Sequence, residues 1–461
     1  MATANAKRAL LIEGPIGKTL TNLTIPMIFG MLGMVAFNLV DTYFVGQLGT
    51  VELAAMSFTF PVVMIVSSMA FGIGIGGSAV ISRAIGEGDQ HKVRRLTTDL
   101  LLLALTAVIL FVIIGLLTMD PIFRLLGATP DVLPRIKEYM AIWYLAMIFL
   151  VIPMVGNNAI RATGDTRTPS FVMLVAVFVN VVLDPLLIFG WGPFPRMELV
   201  GAATATAISR AVTLVVALYV LYYREKMITF DWPGWQALLA SWRRIMNIGF
   251  PAAATNMITP LSMGAITALV ASYGAAAVAA FGVATRIDMF ALTVIMSLAT
   301  VLGPFIGQNW GAGRYERVQT AVRQSELFSL AWGLLMLLLF AFFGRNVAAF
   351  FNDDAAVIEN VALYLWLLPI SYGFQGMLRL AAFSLNVLER PLYATALTVL
   401  QMFVLYIPLA YVGAALFDLT GIFAAASTAH IIAGIVAFFV LRMVLRRSTA
   451  AATAPVAVEA A

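Results

Sequence analysis

Apolar residues run in long stretches along this chain, separated by short polar punctuation. A helix that crosses a bilayer needs roughly 20 mostly apolar residues. Twelve stretches meet that length, at about 20–45, 53–82, 97–119, 136–160, 169–191, 199–223, 246–272, 276–306, 324–345, 357–386, 394–416 and 420–444. Between them stand groups such as Gly46-Gln47-Leu48-Gly49, Gly86-Glu87-Gly88-Asp89, Gly164-Asp165, Gly192-Pro193, Gly311-Ala312-Gly313 and Arg390-Pro391. Such glycines and prolines end helices and begin turns. The pattern predicts twelve transmembrane helices. It lacks the ten-residue alternating segments of a membrane β-barrel.

Composition strengthens that reading. Of the 461 residues, 62% are apolar and 11% charged, against about 25% charged in a soluble domain. Too few polar side chains remain to coat a water-facing surface. The chain reads as an integral membrane protein, and a soluble enzyme is excluded. With no cysteine and two histidines, disulfides, thiolate zinc sites and multi-histidine metal sites are excluded too. Basic residues give an orientation. With the N-terminus inside, 20 of the 28 Lys and Arg fall in inside segments and 5 in outside loops. Arg210, Arg286 and Arg379 fall at membrane depth. Both termini are expected in the cytoplasm, in a multi-pass protein of the cell (inner or plasma) membrane.

The chain also repeats. A shift of 225 residues sets Pro26 on Pro251, Thr42 on Thr267, Gly49 on Gly274 and Gly86-x-Gly88 on Gly311-x-Gly313. Later the shift drifts to about 220, with Pro169 against Pro391 and Gly201 against Gly421. Chance matching in an Ala/Gly/Val-rich chain is the plain alternative. Six spans separate the copies, so both halves face the same way, a parallel repeat of the kind found in carriers. The expected organisation is a cytoplasmic segment (1–19), an N-terminal lobe (20–223), a cytoplasmic linker (224–245), a C-terminal lobe (246–447) and a disordered tail (448–461). Pro26 and Pro251 lie inside the first helix of each lobe, where proline removes a hydrogen bond and bends the helix. Both are expected helix-bending points.

An acidic residue inside a membrane is costly and is a functional candidate by default. Asp41 stands in span one and Asp184 in span five. Asn180 and Asp184 are spaced i,i+4, on one helix face. Thr204 and Thr206 add hydroxyls in span six. The repeat maps Asp41 to Ile266, Asn38 to Met263, Asp184 to Tyr406 or Ile407, Asn180 to Met402 or Phe403, and Thr206 to Ala426. The polar cluster therefore belongs to one half alone, which points to a cation site there. A position near the span ends, in water, is the alternative for both acids. Two close buried carboxylates cannot both stay charged unless a cation joins them. A proton, a sodium ion or a cationic substrate would each serve, and an all-oxygen set suits a hard cation. Arg286 and Asp288 read as a local ion pair, Arg210 and Arg379 as snorkelling or water-lining, and His430 as a packing histidine. The run Gly72-Ile73-Gly74-Ile75-Gly76-Gly77 reads as close helix packing. Met31, Met34, Phe37, Asn38 and Asn157 are candidate substrate-cavity residues.

Several strings resemble one family. Asn38-Leu39-Val40-Asp41-Thr42-x-Phe44-Val45-Gly46 resembles the first-helix signature of multidrug and toxic compound extrusion (MATE) transporters. So do Asn157-Asn158-Ala159-Ile160-Arg161-Ala162-x-Gly164-Asp165, Asp184-Pro185-Leu186-Leu187-Ile188-Phe189-Gly190 and Gly201-Ala202-Ala203-x-Ala205-Thr206. The resemblance spans Gly14 to about Arg447 and is DinF-like within the family. It implies an all-α membrane protein with twelve transmembrane helices in two six-helix bundles, V-shaped about a central cavity. It implies a secondary antiporter that is not an enzyme and holds no tightly bound cofactor. Organic compounds, often cationic drugs, would leave in exchange for H+ and/or Na+. DinF-like members use an N-lobe site whose motif positions fall on Asp41, Asn180, Asp184 and Thr206, with Na+ possible at the same four. Phe37 departs from a common Tyr and removes one polar contact near Asp41. A monomer is expected, with no nucleic-acid partner. A lipid-linked precursor flippase of the wider superfamily is the alternative; it should show a more cationic cavity.

Overall fold

The computed structural model describes residues 10–48 and 50–453; the side chains of Asn38, Leu39, Thr42 and residues 50–55, 452 and 453 lie outside that description. Its helices are α1 (Ile16–Gly46), α2 (Thr50–Glu87), α3 (Gln90–Leu125), α4 (Leu133–Ala162), α5 (Arg167–Ile188) and α6 (Glu198–Tyr219). Then follow α7 (Trp235–Ala271), α8 (Ala275–Gly311), α9 (Tyr315–Phe351), α10 (Ala355–Leu367), α11 (Pro369–Val387), α12 (Pro391–Val399) and α13 (Ile407–Thr453). In lipid every backbone N–H and C=O must find a partner within the chain, and apolar helices meet that demand.

The twelve spans are all present, with two qualifications that local chemistry explains. Span ten is broken: α10 and α11 meet at a 56° bend beside Leu368. Pro369 opens α11 at its first position, where its missing N–H costs no helical bond. Ser427 Oγ donates to the Leu367 carbonyl at the break, at 2.8 Å. Spans eleven and twelve run together from Pro391 to the end of α13, separated where Phe417 and Asp418 leave helical geometry. A π-helical turn, Leu400–Tyr406, joins α12 to α13, and a second, Val220–Arg224, extends α6. Where a disordered tail was expected from residue 448, α13 continues to Thr453. The Ala-rich stretch is a strong helix former, and residues 454–461 lie outside the description.

The chain divides into two compact units. Of the described residues, one comprises 10–14 and 21–257, the other 15–20 and 258–453. The first unit shows what the glycine run at 72–77 does. A Cβ on Gly72 would stand 2.3 Å from the Gly249 carbonyl, one on Gly76 2.3 Å from the Ile245 carbonyl, and one on Gly74 2.3 Å from Asn158. Only glycine allows α2 to approach α7 and α4 so closely. In the second unit, Phe281, Tyr364, Tyr372, Tyr406 and Phe423 pack with aliphatic residues into one apolar core. The repeat extends to backbone detail: Gly88 (φ 83°) and Gly313 (φ 71°) are matched residues, and both turn the chain in the left-handed region.

Candidate functional site

Helical spacing builds a cavity inside the first unit. On α1, Met34, Phe37 and Asp41 recur every three or four residues and share one face. On α6 the same spacing aligns Ala203, Thr206, Ala207 and Arg210. With Tyr139, Trp143 and Met147 of α4 and Phe60 and Met64 of α2, these residues line a space of about 770 Å³. Such a volume, apolar with a few polar groups, is that of a small-molecule site.

Helix α5 lies behind this lining, and close backbone approaches hold it there. A Cβ on Gly30 of α1 would stand 3.0 Å from Ser170 of α5, and one on Gly33 2.7 Å from Leu174. On the other side, a Cβ on Gly201 of α6 would stand 2.5 Å from the Leu187 carbonyl. Asn180 and Asp184 are both completely buried on α5. Asn180 Nδ2 donates to Asp184 Oδ1 at 3.1 Å. Asp41, 9% exposed, lies near enough for Asp184 to feel its charge, and Tyr139 lies within electrostatic reach of both carboxylates. Asp41 Oδ1, Asn180 Oδ1 and Asp184 Oδ2 are buried without a hydrogen-bond partner among the described residues. Buried acceptors are rarely left so, and carboxylate and amide oxygens are the donor type that a small hard cation takes.

Of the two threonines of α6, Thr206 lines the cavity, whereas Thr204 Oγ1 donates to the Val200 carbonyl at 2.8 Å. Phe37 and Met34 line the cavity; Met31 and the buried Asn157 do not. The side chain of Asn38 lies outside the described residues. Pro26 stands inside α1 and Pro251 inside α7.

Two side chains without a sequence motif join the site. Tyr139 brings a phenol beside Asp41. Arg210 lines the cavity with its guanidinium 4.8 Å from the centre of the Phe37 ring. Its place in the middle of α6 was the available signal, since a snorkelling arginine sits near a helix end.

The second unit corrects one expectation. Asp288 of α8 is not joined to Arg286. It accepts hydrogen bonds from the hydroxyls of Tyr364 and Tyr372, which stand on α10 and α11, either side of the bend in span ten. Alternate helix positions place Arg286 on an exposed face. His430 Nδ1 lies 3.2 Å from Ser371 Oγ in a buried setting. Of the positions the repeat pairs with the first-unit cluster, Ile266, Met402, Tyr406 and Ala426 belong to the second unit's apolar core and Met263 and Ile407 pack against it, whereas Phe403 is exposed.

The family model MatE matches the chain twice, over residues 26–186 and 251–412. The protein belongs to the MATE family. The two matches begin 225 residues apart, at Pro26 and Pro251, which establishes the internal repeat in sequence. The FAD transporter of Shewanella oneidensis is 38% identical over 94% of this chain and 96% of its own. The multidrug export protein MepA of Staphylococcus aureus is 26% identical over 95% and 96%. Among solved structures, the Vibrio cholerae MATE transporter VcmN in its bent form matches with a TM-score of 0.89 and 30% identity, over 96% of this chain and 99% of that one. The protein is thus a multi-pass membrane transporter of small molecules with the twelve-helix, two-lobe MATE fold, and not an enzyme.

Proposed function

We propose that this MATE protein is a secondary active exporter. Organic compounds leave through the first-unit cavity as H+ or Na+ enters at Asp41, Asn180, Asp184 and Thr206. The observation that carries this reading is the trio of unpartnered buried oxygens on Asp41, Asn180 and Asp184, set against apolar residues at the repeat-related positions of the second unit. A cluster needed only for packing would recur in both halves. Asp41 belongs to both parts of the site: it faces the cavity and lies in electrostatic reach of Asp184. A cation there neutralises the carboxylates, and a Pro26 bend in the same helix offers the movement that changes access. The relatives' names span multidrug export and FAD transport, so the substrates are organic molecules with aromatic character, which suits the Phe, Tyr, Trp and Met lining. We place the protein in the cell membrane with both termini cytoplasmic, lobes at 20–223 and 246–447, working as a monomer.

Proteoliposomes tested with pH and sodium gradients imposed separately decide the matter. Uphill movement of a fluorescent substrate on at least one inward cation gradient supports the proposal. Movement that only follows the substrate's own gradient would overturn it.

A further inference from the structure

The first-unit cavity contains a positive charge that the cation site does not explain. Among the described residues, Asp41, Tyr139 and Arg210 are its titratable or charged lining residues. Arg210 comes from α6, Asp41 from α1 and Tyr139 from α4; the described α2 lining is apolar or hydroxyl-bearing, and Asp184 stands behind on α5. Among the described residues no ion pair joins Arg210 to a carboxylate, and its Nε is buried without a partner. Asp41 and Arg210 lie within electrostatic reach of one another without a direct ion pair. A guanidinium inside a membrane protein is costly unless paired. This one lies over the Phe37 ring, 4.8 Å from its centre, and a guanidinium on an aromatic face can still direct its edge donors to another group.

We infer that Arg210, stacked on Phe37, is the specificity-determining residue of the cavity and anchors the anionic group of a flat aromatic substrate, such as a phosphate or carboxylate borne by a heteroaromatic ring. The inference rests on the export reading of the same cavity and adds the charge of its cargo. Phe37 is central to it. A phenyl or a phenol face would each attract the guanidinium; the phenyl adds no hydrogen-bonding group that would occupy the Arg210 donors. Trp143, Tyr139 and Phe60 then receive the rings, and fork-shaped donors hold the acid. Export of an anion is moreover favoured by a membrane potential negative inside.

Riboflavin and riboflavin 5′-phosphate share one ring system and differ only in the phosphate. Ethidium supplies a cationic aromatic of similar size. Binding of each to the purified full-length protein is read by fluorescence. The wild type should bind the phosphate tighter than riboflavin by about tenfold or more, the worth of one charge-assisted hydrogen bond. Arg210→Gln should bring that ratio near one and leave ethidium binding equal or tighter; Arg210→Lys should keep part of the preference. Retained ethidium binding shows that the variant cavity is folded. If Arg210→Gln does not fold, the wild-type ratio and its partial retention in Arg210→Lys decide. A wild type that binds both flavins equally, or only ethidium, overturns the inference while leaving the export reading intact. A variant that keeps the full phosphate preference overturns it as well. Failure of every probe to move in gradient-loaded vesicles counts instead against the export reading.

Discussion

Replacing Asp41 by Asn changes one oxygen to an amide and leaves the shape. Among the described residues Asp41 Oδ1 has no partner to lose, and removing a buried charge relieves desolvation. Expression should hold, and the thermal midpoint should stay within a few degrees of wild type or rise. Coupling should vanish, because an amide takes up no proton and the cation cage loses a charged ligand. One coupled proton and a gradient of one pH unit supply about 1.4 kcal/mol, enough for a roughly tenfold accumulation ratio. A membrane potential of 100 mV adds about 2.3 kcal/mol per charge moved. The wild type should therefore hold a substrate ratio of about tenfold or more across a proteoliposome membrane on its coupling gradient. Asp41→Asn should relax to a ratio of one, with downhill exchange preserved. A variant that accumulates substrate as the wild type does would show that Asp41 is not the coupling carboxylate.

Other substitutions separate the parts of the site. Asp184→Asn ends the charge-assisted contact with Asn180 Nδ2 and should cut gradient-driven efflux at least severalfold, read as the initial rate in the same vesicles. Asp288→Asn, in the other unit and held by two tyrosine hydroxyls, should keep most of the efflux; a dead Asp288→Asn beside an active Asp41→Asn would move the coupling site to the second unit. Gly201→Val drives a Cβ toward a carbonyl 2.5 Å away and should cost about 1–3 kcal/mol by overpacking, seen as a lower thermal midpoint in detergent; an unchanged midpoint would show that α6 can shift off α5.

The spans were legible because lipid leaves a chain little choice: runs of apolar residues between Gly and Pro breaks become helices. The glycine run at 72–77 was legible as packing, since nothing else in its surroundings suits a phosphate loop. Asn180 and Asp184 declared themselves by an i,i+4 spacing that needs no tertiary information. The repeat supplied the contrast with Ile266 and Ala426. What escaped was whatever depends on one helix meeting another. Tyr139 gains its role only because α4 passes α1, and Arg210 only because its face of α6 turns to the cavity rather than along the helix. Asp288 was assigned to Arg286 by proximity in sequence, while its partners come from residues 76 and 84 positions away. The break in span ten was marked by Pro369, yet the apolar run across it reads as one continuous helix.

The central claim is that cation entry and substrate exit are two halves of one cycle through the Asp41 cluster. The most direct test imposes only a substrate gradient, with no ion gradient, and reads cation movement in proteoliposomes with an entrapped pH indicator or radioactive sodium. Substrate flowing one way should drive H+ or Na+ the other way through the wild type, and Asp41→Asn should pass substrate with no cation flux. Substrate flow through the wild type with neither ion moving, or equal cation flux through Asp41→Asn, would contradict the account.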